Sequence, residues 1–200
     1  MPPTAHAGEA TRPLRIVALG DSLTAGPGLP PDNTFPAKLE RALKAKGIAA
    51  EVANAGVSGD TAAGGLARLD WSVPQGTDAV ILELGANDML RGIDPKLTRR
   101  ALEEIVQRLS ERRIPVLLAG MRVAPNLGPD YGREFEAIYS ELAARHGLLL
   151  YPFFLAGVAA DPKLNQGDGL HPTAAGVDAI VARILPNVEE LVARVRERPL

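Results

Sequence analysis

Short apolar runs bounded by turn-forming residues alternate along this chain with longer stretches in which apolar residues recur at helical spacing. Five short runs, Leu14–Leu19, Glu51–Asn54, Ala79–Leu84, Val116–Met121 and Leu148–Tyr151, are each flanked by Gly, Pro, Asn or Asp and predict strands. Between them, Phe35–Lys46, Thr61–Leu69, Lys96–Arg112 and Arg133–His146 predict helices, and Thr173–Arg196 predicts a long closing helix. Strands separated by helices need crossover connections, which favour a parallel sheet covered on both faces. The predicted fold class is α/β: a three-layer α/β/α sandwich around a five-stranded parallel sheet in the flavodoxin-like order 2-1-3-4-5. In that order ligands gather outside the strand C-termini, near the switch between the first and third strands.

Composition narrows the function classes. The chain has 200 residues, 46% of them apolar, enough for one sizeable core, so residues 14–200 are expected to form a single domain after a disordered leader, 1–13. A formal net charge of −2 gives no basic surplus for phosphate backbones, and nucleic acid is not an expected partner. With no cysteine, disulfides and thiol nucleophiles are excluded. The longest apolar stretch, Leu148–Ala160, is interrupted by Pro152 and is too short for a hydrocarbon core of roughly 30 Å, so no integral membrane segment is expected. The opening MPPTAHAGEATR has neither a basic n-region nor an apolar h-region, which fits a cytoplasmic protein as written, or a periplasmic one if a signal was removed. The expected state is a soluble monomer without cofactor or metal; three histidines lacking H-E-x-x-H spacing serve a metal poorly.

Four segments hold the chemistry. The first strand empties into Gly20-Asp21-Ser22-Leu23-Thr24-Ala25-Gly26, where Ser22 is either an ordinary helix cap or an exposed nucleophile. The turn Asn54 to Thr61 contains Gly59, whose backbone N–H a ligand oxygen can approach closely; alone it is a loop glycine. The third strand ends in Gly85-Ala86-Asn87-Asp88, placing the Asn87 amide at the same sheet edge, where asparagine is otherwise a local turn partner. Asp168 precedes His171 by three residues and can fold back to accept from Nδ1–H, leaving Nε2 free to take a proton; otherwise the two are surface loop residues. Of the other histidines, His6 lies in the leader and His146 suits a helix C-terminus. Together the segments supply a nucleophile, two oxyanion donors and a base with its orienting carboxylate, the parts of a hydrolase.

The segments GDSLTAG, NAGVSGDT, GAND and DGLHP resemble, in order and at similar intervals, the four blocks of the SGNH (GDSL) hydrolases. The resemblance runs from about Arg15 to the end of the last helix. Stretches GDTAAGGLARL and ELGANDMLRGIDP are especially similar to the multifunctional bacterial thioesterase/lysophospholipase/arylesterase subgroup. It implies the SGNH hydrolase fold and a serine enzyme cleaving carboxylic esters or thioesters, such as aryl esters, acyl-CoA or lysophospholipid, through an acyl-enzyme. Ser22 would be the nucleophile, the Ser22 and Gly59 N–H groups with the Asn87 side chain the oxyanion hole, His171 the base and then acid, and Asp168 its orienter. Asp21 and Asp88 would brace the loops. Members of this subgroup are often exported, whereas this chain shows no signal.

Rival readings are a carbohydrate acetylesterase of the same family and a non-catalytic flavodoxin-like binding module. The serine contexts lack the G-x-S-x-G elbow of α/β-hydrolases, and neither nucleotide-loop signature follows the first strand. For the acyl pocket the expected residues are Met89 and Leu90 after Asn87, Leu127 in the 122–132 loop, and Phe154 within Phe153–Leu155; all four also read as ordinary core. The 122–132 loop, rich in Pro, Gly and Asn, is an expected flap over the acyl chain.

Overall fold

The computed structural model describes residues 12–123 and 127–197. Most of the expected leader therefore lies outside the described residues, and of it only Arg12 and Pro13 are seen, with Arg12 paired to Asp78 at 2.7 Å. The five strands are β1 (Leu14–Gly20), β2 (Ala50–Gly56), β3 (Ala79–Glu83), β4 (Val116–Ala119) and β5 (Leu149–Tyr151). They form one parallel sheet in the order β2-β1-β3-β4-β5, as the alternation of strands and helices predicts.

Burial explains why the central strands are apolar except at Glu83. All residues of β3 and β4 are buried, because helices cover both faces, whereas the edge strand β2 alternates and shows its tail to solvent. Helices α2 (Phe35–Ala45) and α8 (Ala174–Arg196) pack together, and α3 (Ala62–Ala67), α6 (Pro95–Glu111) and α7 (Pro129–His146) form a second packed series. The join between α2 and α8 includes the nearly buried Lys38, whose ammonium donates to the Ala174 carbonyl at 2.8 Å and to Asp178 at 2.6 Å. A single core of buried residues runs through both faces of the sheet, with Phe35 and Phe154 meeting edge to face at 5.0 Å. Among the described residues no helix is long and apolar enough to cross a membrane.

The structure departs from the periodicity in four places. The stretch 61–69, predicted as one helix, is two: α3 stops at Ala67, and α4 (Leu69–Ser72) follows after Arg68, which leaves helical geometry as its side chain turns into the protein. Two single-turn helices, α1 (Ser22–Ala25) and α5 (Ala86–Leu90), are too short to carry a period at all. Helix α7 begins four residues before its predicted start at Arg133, because Pro129 fits the first position and Asp130 the first turn. In contrast, α8 runs through Pro186 without a break, as the long closing pattern predicts.

Register decides where the site forms. Gly20 pairs with Gly56 on one side and with Glu83 on the other, so β1, β2 and β3 end level and release their loops at one sheet edge. Gly20 is required there by space: a Cβ would lie 2.1 Å from Thr24 Oγ1 and 2.5 Å from Glu83 Oε2. A side chain on Gly56 would similarly strike the Ala25 backbone at 2.3 Å. These two glycines let the turn after β1 sit down on the ends of its neighbours.

Candidate active site

Asp21 caps α1, its carboxylate accepting from the Leu23 N–H at 2.9 Å, and this fixes Ser22 as the first residue of the turn. The Ser22 hydroxyl lies 2.9 Å from His171 Nε2, and His171 Nδ1 lies 2.6 Å from Asp168 Oδ2. A carboxylate can only accept, so Nδ1 carries the proton and Nε2 is left to accept from the serine. Asp168 Oδ1 accepts from the Leu170 N–H at 2.9 Å and the His171 N–H at 3.0 Å, so one carboxylate holds both ring and backbone of the histidine. The His171 ring first, and these two N–H groups after it, keep the Asp168 carboxyl well below the ordinary carboxylate range.

The donors come from the neighbouring strand ends. Gly59 has φ of +84°, a left-handed conformation suited to glycine, and Arg91 donates to its carbonyl at 2.7 Å. Among the described residues neither the Ser22 N–H nor the Gly59 N–H has a protein acceptor. Asn87 differs: its amide nitrogen donates to the Asp60 carbonyl at 2.9 Å and to Asp21 Oδ2 at 3.1 Å, so both its hydrogens are engaged at rest. Asp88 is buried and accepts from the Ala62 N–H at 2.8 Å and the Thr98 hydroxyl at 2.9 Å, binding α3 and α6 to α5. Asp21 and Asp88 thus occupy the bracing positions the sequence suggests.

Three features under the site were not foreseen. Arg68 is buried and donates to the Gly20 carbonyl at 2.8 Å, the Ala55 carbonyl and the Ser72 hydroxyl at 2.9 Å, and Asp60 at 2.5 Å, tying together the ends of β1 and β2. Gln166 joins the Ser22 side of the site to the His171 side, as described below. Glu83 is fully buried beneath Gly20 and receives the Thr24 hydroxyl at 2.7 Å on Oε2, while its Oε1 has no hydrogen-bond partner. Its signal in the sequence is one acid inside the otherwise apolar AVILEL run.

Burial, with the nearby Asp21 charge second, pushes Glu83 well above the ordinary carboxylate range, and burial likewise pushes Asp21 up to about 6. A carboxyl whose folded pKa exceeds its unfolded one favours folding only while protonated; stability is full below the unfolded value and declines as pH rises towards the folded one. Glu83→Gln is therefore expected to gain stability relative to the native protein as pH rises above the ordinary carboxylate range towards the raised folded value, by about 1 kcal/mol per pH unit over that window. Urea unfolding of both proteins from pH 5 to 9 checks this, and parallel curves would refute a protonated Glu83.

The expected acyl-pocket residues differ widely in exposure. Leu90 is 52% exposed, Met89 is half-buried against the core, and Leu127 is half-buried just before α7. Phe154 is a correction: it is fully buried against Phe35 and belongs to the core, because the turn after β5 folds inward where the Phe154 N–H donates to the Gly120 carbonyl at 2.8 Å. The expected flap includes 124–126, which lie outside the described residues; its later part is the start of α7. A groove of about 660 Å³ bounded by Leu29, Thr34, Arg41 and Asn54 contains none of Ser22, Asp168 or His171.

Comparison with known proteins gives the family of the chain. The profile of the GDSL-like lipase/acylhydrolase family matches residues 18–179. The chain is 36% identical over 178 residues to Esterase TesA of Pseudomonas aeruginosa, covering 88% of this chain and 89% of that one. It is 39% identical over 158 residues to thioesterase 1/protease 1/lysophospholipase L1 of Escherichia coli, covering 78% and 74%. Among solved structures, AlinE4, an SGNH-hydrolase family esterase, superposes with a TM-score of 0.77 at 46% identity, covering 91% of this chain and 98% of that one.

Proposed function

Because the chain belongs to the GDSL-like lipase/acylhydrolase family and is a serine ester hydrolase, we propose that it acts through an acyl-enzyme on Ser22. The observation that carries this reading is the relay Ser22–His171–Asp168, with links of 2.9 and 2.6 Å, drawn from segments 149 residues apart. A lone histidine beside a serine is common; one whose second nitrogen is held by a carboxylate that also grips its backbone has a fixed tautomer and a fixed aim.

In the proposed cycle Ser22 Oγ attacks the acyl carbonyl carbon as its proton passes to His171 Nε2. The oxyanion formed is received by the Ser22 and Gly59 N–H groups and by Asn87, which turns one hydrogen away from Asp21, its longer contact. Collapse breaks the bond to the leaving alcohol or thiol, which takes the proton from Nε2. Water then attacks the acyl-enzyme, gives its proton to Nε2, and the carboxylic acid departs as that proton returns to Ser22. Asp168, held low in pKa, stays ionised throughout and stabilises the histidine in its charged form.

The substrate class follows from the chemistry and the relatives' names: aryl esters, acyl thioesters and lysophospholipids all offer the same carbonyl, with residues 14–200 acting as one domain. The expected result is hydrolysis of p-nitrophenyl acyl esters between acetate and palmitate in the presence of EDTA, together with stoichiometric labelling of Ser22 by an alkyl phosphonate. The length series defines the acyl preference. Turnover without label at Ser22, or inertness towards every ester and thioester, would overturn the reading.

A further inference from the structure

Ser22 and His171 come from opposite ends of the described chain, and their relative placement depends on what joins their segments. The base-bearing stretch 158–173 is organised mainly within itself. Asn165 is buried and donates to the Val158 carbonyl at 2.6 Å and the Asp161 carbonyl at 2.8 Å, and it bridges to Pro172. Among the described residues this stretch makes two hydrogen bonds to segment 20–34. One is the His171–Ser22 contact itself. The other comes from Gln166, whose amide nitrogen donates to the Pro27 carbonyl at 2.9 Å and to the Pro172 carbonyl at 2.9 Å. The Gln166 backbone N–H also donates to the His171 carbonyl at 2.7 Å.

The chemistry of this clamp requires glutamine. Two carbonyls face one side-chain nitrogen, so the side chain must offer two hydrogens and no lone pair at that end, which also fixes the amide orientation. Glutamate would present acceptors to acceptors. The opposing segment leaves room for the amide: a Cβ on Gly28 would lie 2.5 Å from Gln166 Oε1.

Resting on the acyl-enzyme reading above, we propose that Gln166 is the positioning residue that keeps His171 in register with Ser22 while Ser22 is acylated. During acylation the serine hydroxyl and His171 Nε2 hold each other. Once Ser22 Oγ carries the acyl group it has no proton to donate, and that contact is lost. The Gln166–Pro27 link is then the remaining hydrogen bond between the two segments, at the moment when His171 must aim a water at the ester carbon. Gln166 therefore serves deacylation more than acylation.

This separates kinetically. In a two-step acyl-enzyme cycle kcat/KM reports acylation, whereas slower deacylation lowers kcat and KM together. Gln166→Met, which keeps the stem but removes the donors, is expected to lower the deacylation rate constant about tenfold and to leave that for acylation within about twofold. Gln166→Glu should be slower still in deacylation. The measurement is stopped-flow release of p-nitrophenol, with the burst giving acylation and the steady state deacylation, alongside phosphonate titration of Ser22 in each protein. Equal losses in burst and steady-state rate, no change in either, or titration well below one Ser22 per Gln166→Met chain would each overturn the proposal, the last by making Gln166 merely structural. Absence of a Ser22 label in the unaltered protein would instead count against the acyl-enzyme reading.

Discussion

Ser22→Ala is expected to lower kcat on a p-nitrophenyl ester by about 10⁴- to 10⁶-fold while leaving the fold intact. The expected loss is this large because serine and histidine act as one unit: without Oγ there is no covalent intermediate, and His171 Nε2 has nothing to deprotonate at 2.9 Å. The fold is spared because the cap of α1 is made by Asp21 and because Ser22 contributes only a half-buried hydroxyl to its surroundings. The same logic predicts non-additivity. His171→Ala alone should cost nearly as much, and the double variant scarcely more than either single one, leaving the rate that the oxyanion donors and substrate binding supply by themselves. Measuring kcat for the three variants, with unfolding curves for each, is the check; multiplicative losses in the double variant would mean that the two residues do not share a step.

Asn87→Ala comes next, at about 10²- to 10³-fold in kcat, the usual cost of one oxyanion donor. Unlike the serine change it should also lower stability. The Asp60 carbonyl and Asp21 Oδ2 lose the donor that now reaches them at 2.9 and 3.1 Å, and Asp21 is buried, so its orphaned oxygen has no ready access to water. Asn87→Asp should be worse on both counts, since it sets a carboxylate against the Asp21 carboxylate and a carbonyl. A variant that keeps full kcat while losing stability would make Asn87 a brace and leave the oxyanion to the two backbone N–H groups.

How much of this was legible in the sequence depended on whether the physics was local. Strands β3, apart from Glu83, and β4 are continuous apolar runs because both faces of the sheet are covered, and helices α2, α6 and α8 are long enough for their buried stripe to repeat. Ser22, Gly59, Asn87, Asp168 and His171 are legible as candidates because each follows or precedes a predictable element. What escaped was set by contacts distant in sequence. Arg68 reads as a charge in a helical pattern, yet its guanidinium reaches Gly20 across 48 positions. Gln166 sits in a polar loop with no period, and its partner Pro27 is 139 positions away. Phe154 was misplaced because an aromatic near a strand end reads the same on a rim as in a core; only the inward turn after β5 decides between them. Helices α1 and α5 are single turns held by capping and tertiary contacts, which no window of residues reveals.

The 149-position gap between Ser22 and His171 also has a consequence in time. On a ribosome adding roughly 5–20 residues per second, the proposed nucleophile emerges about seven to thirty seconds before the proposed base exists. Throughout that interval the nascent chain carries an unactivated alcohol, no more reactive than any surface serine. In the proposed cycle hydrolysis switches on only when the last stretch docks beside α1. Catalytic activity is thus a readout of completed folding, and a chain stalled before residue 171 would be harmless to the esters around it.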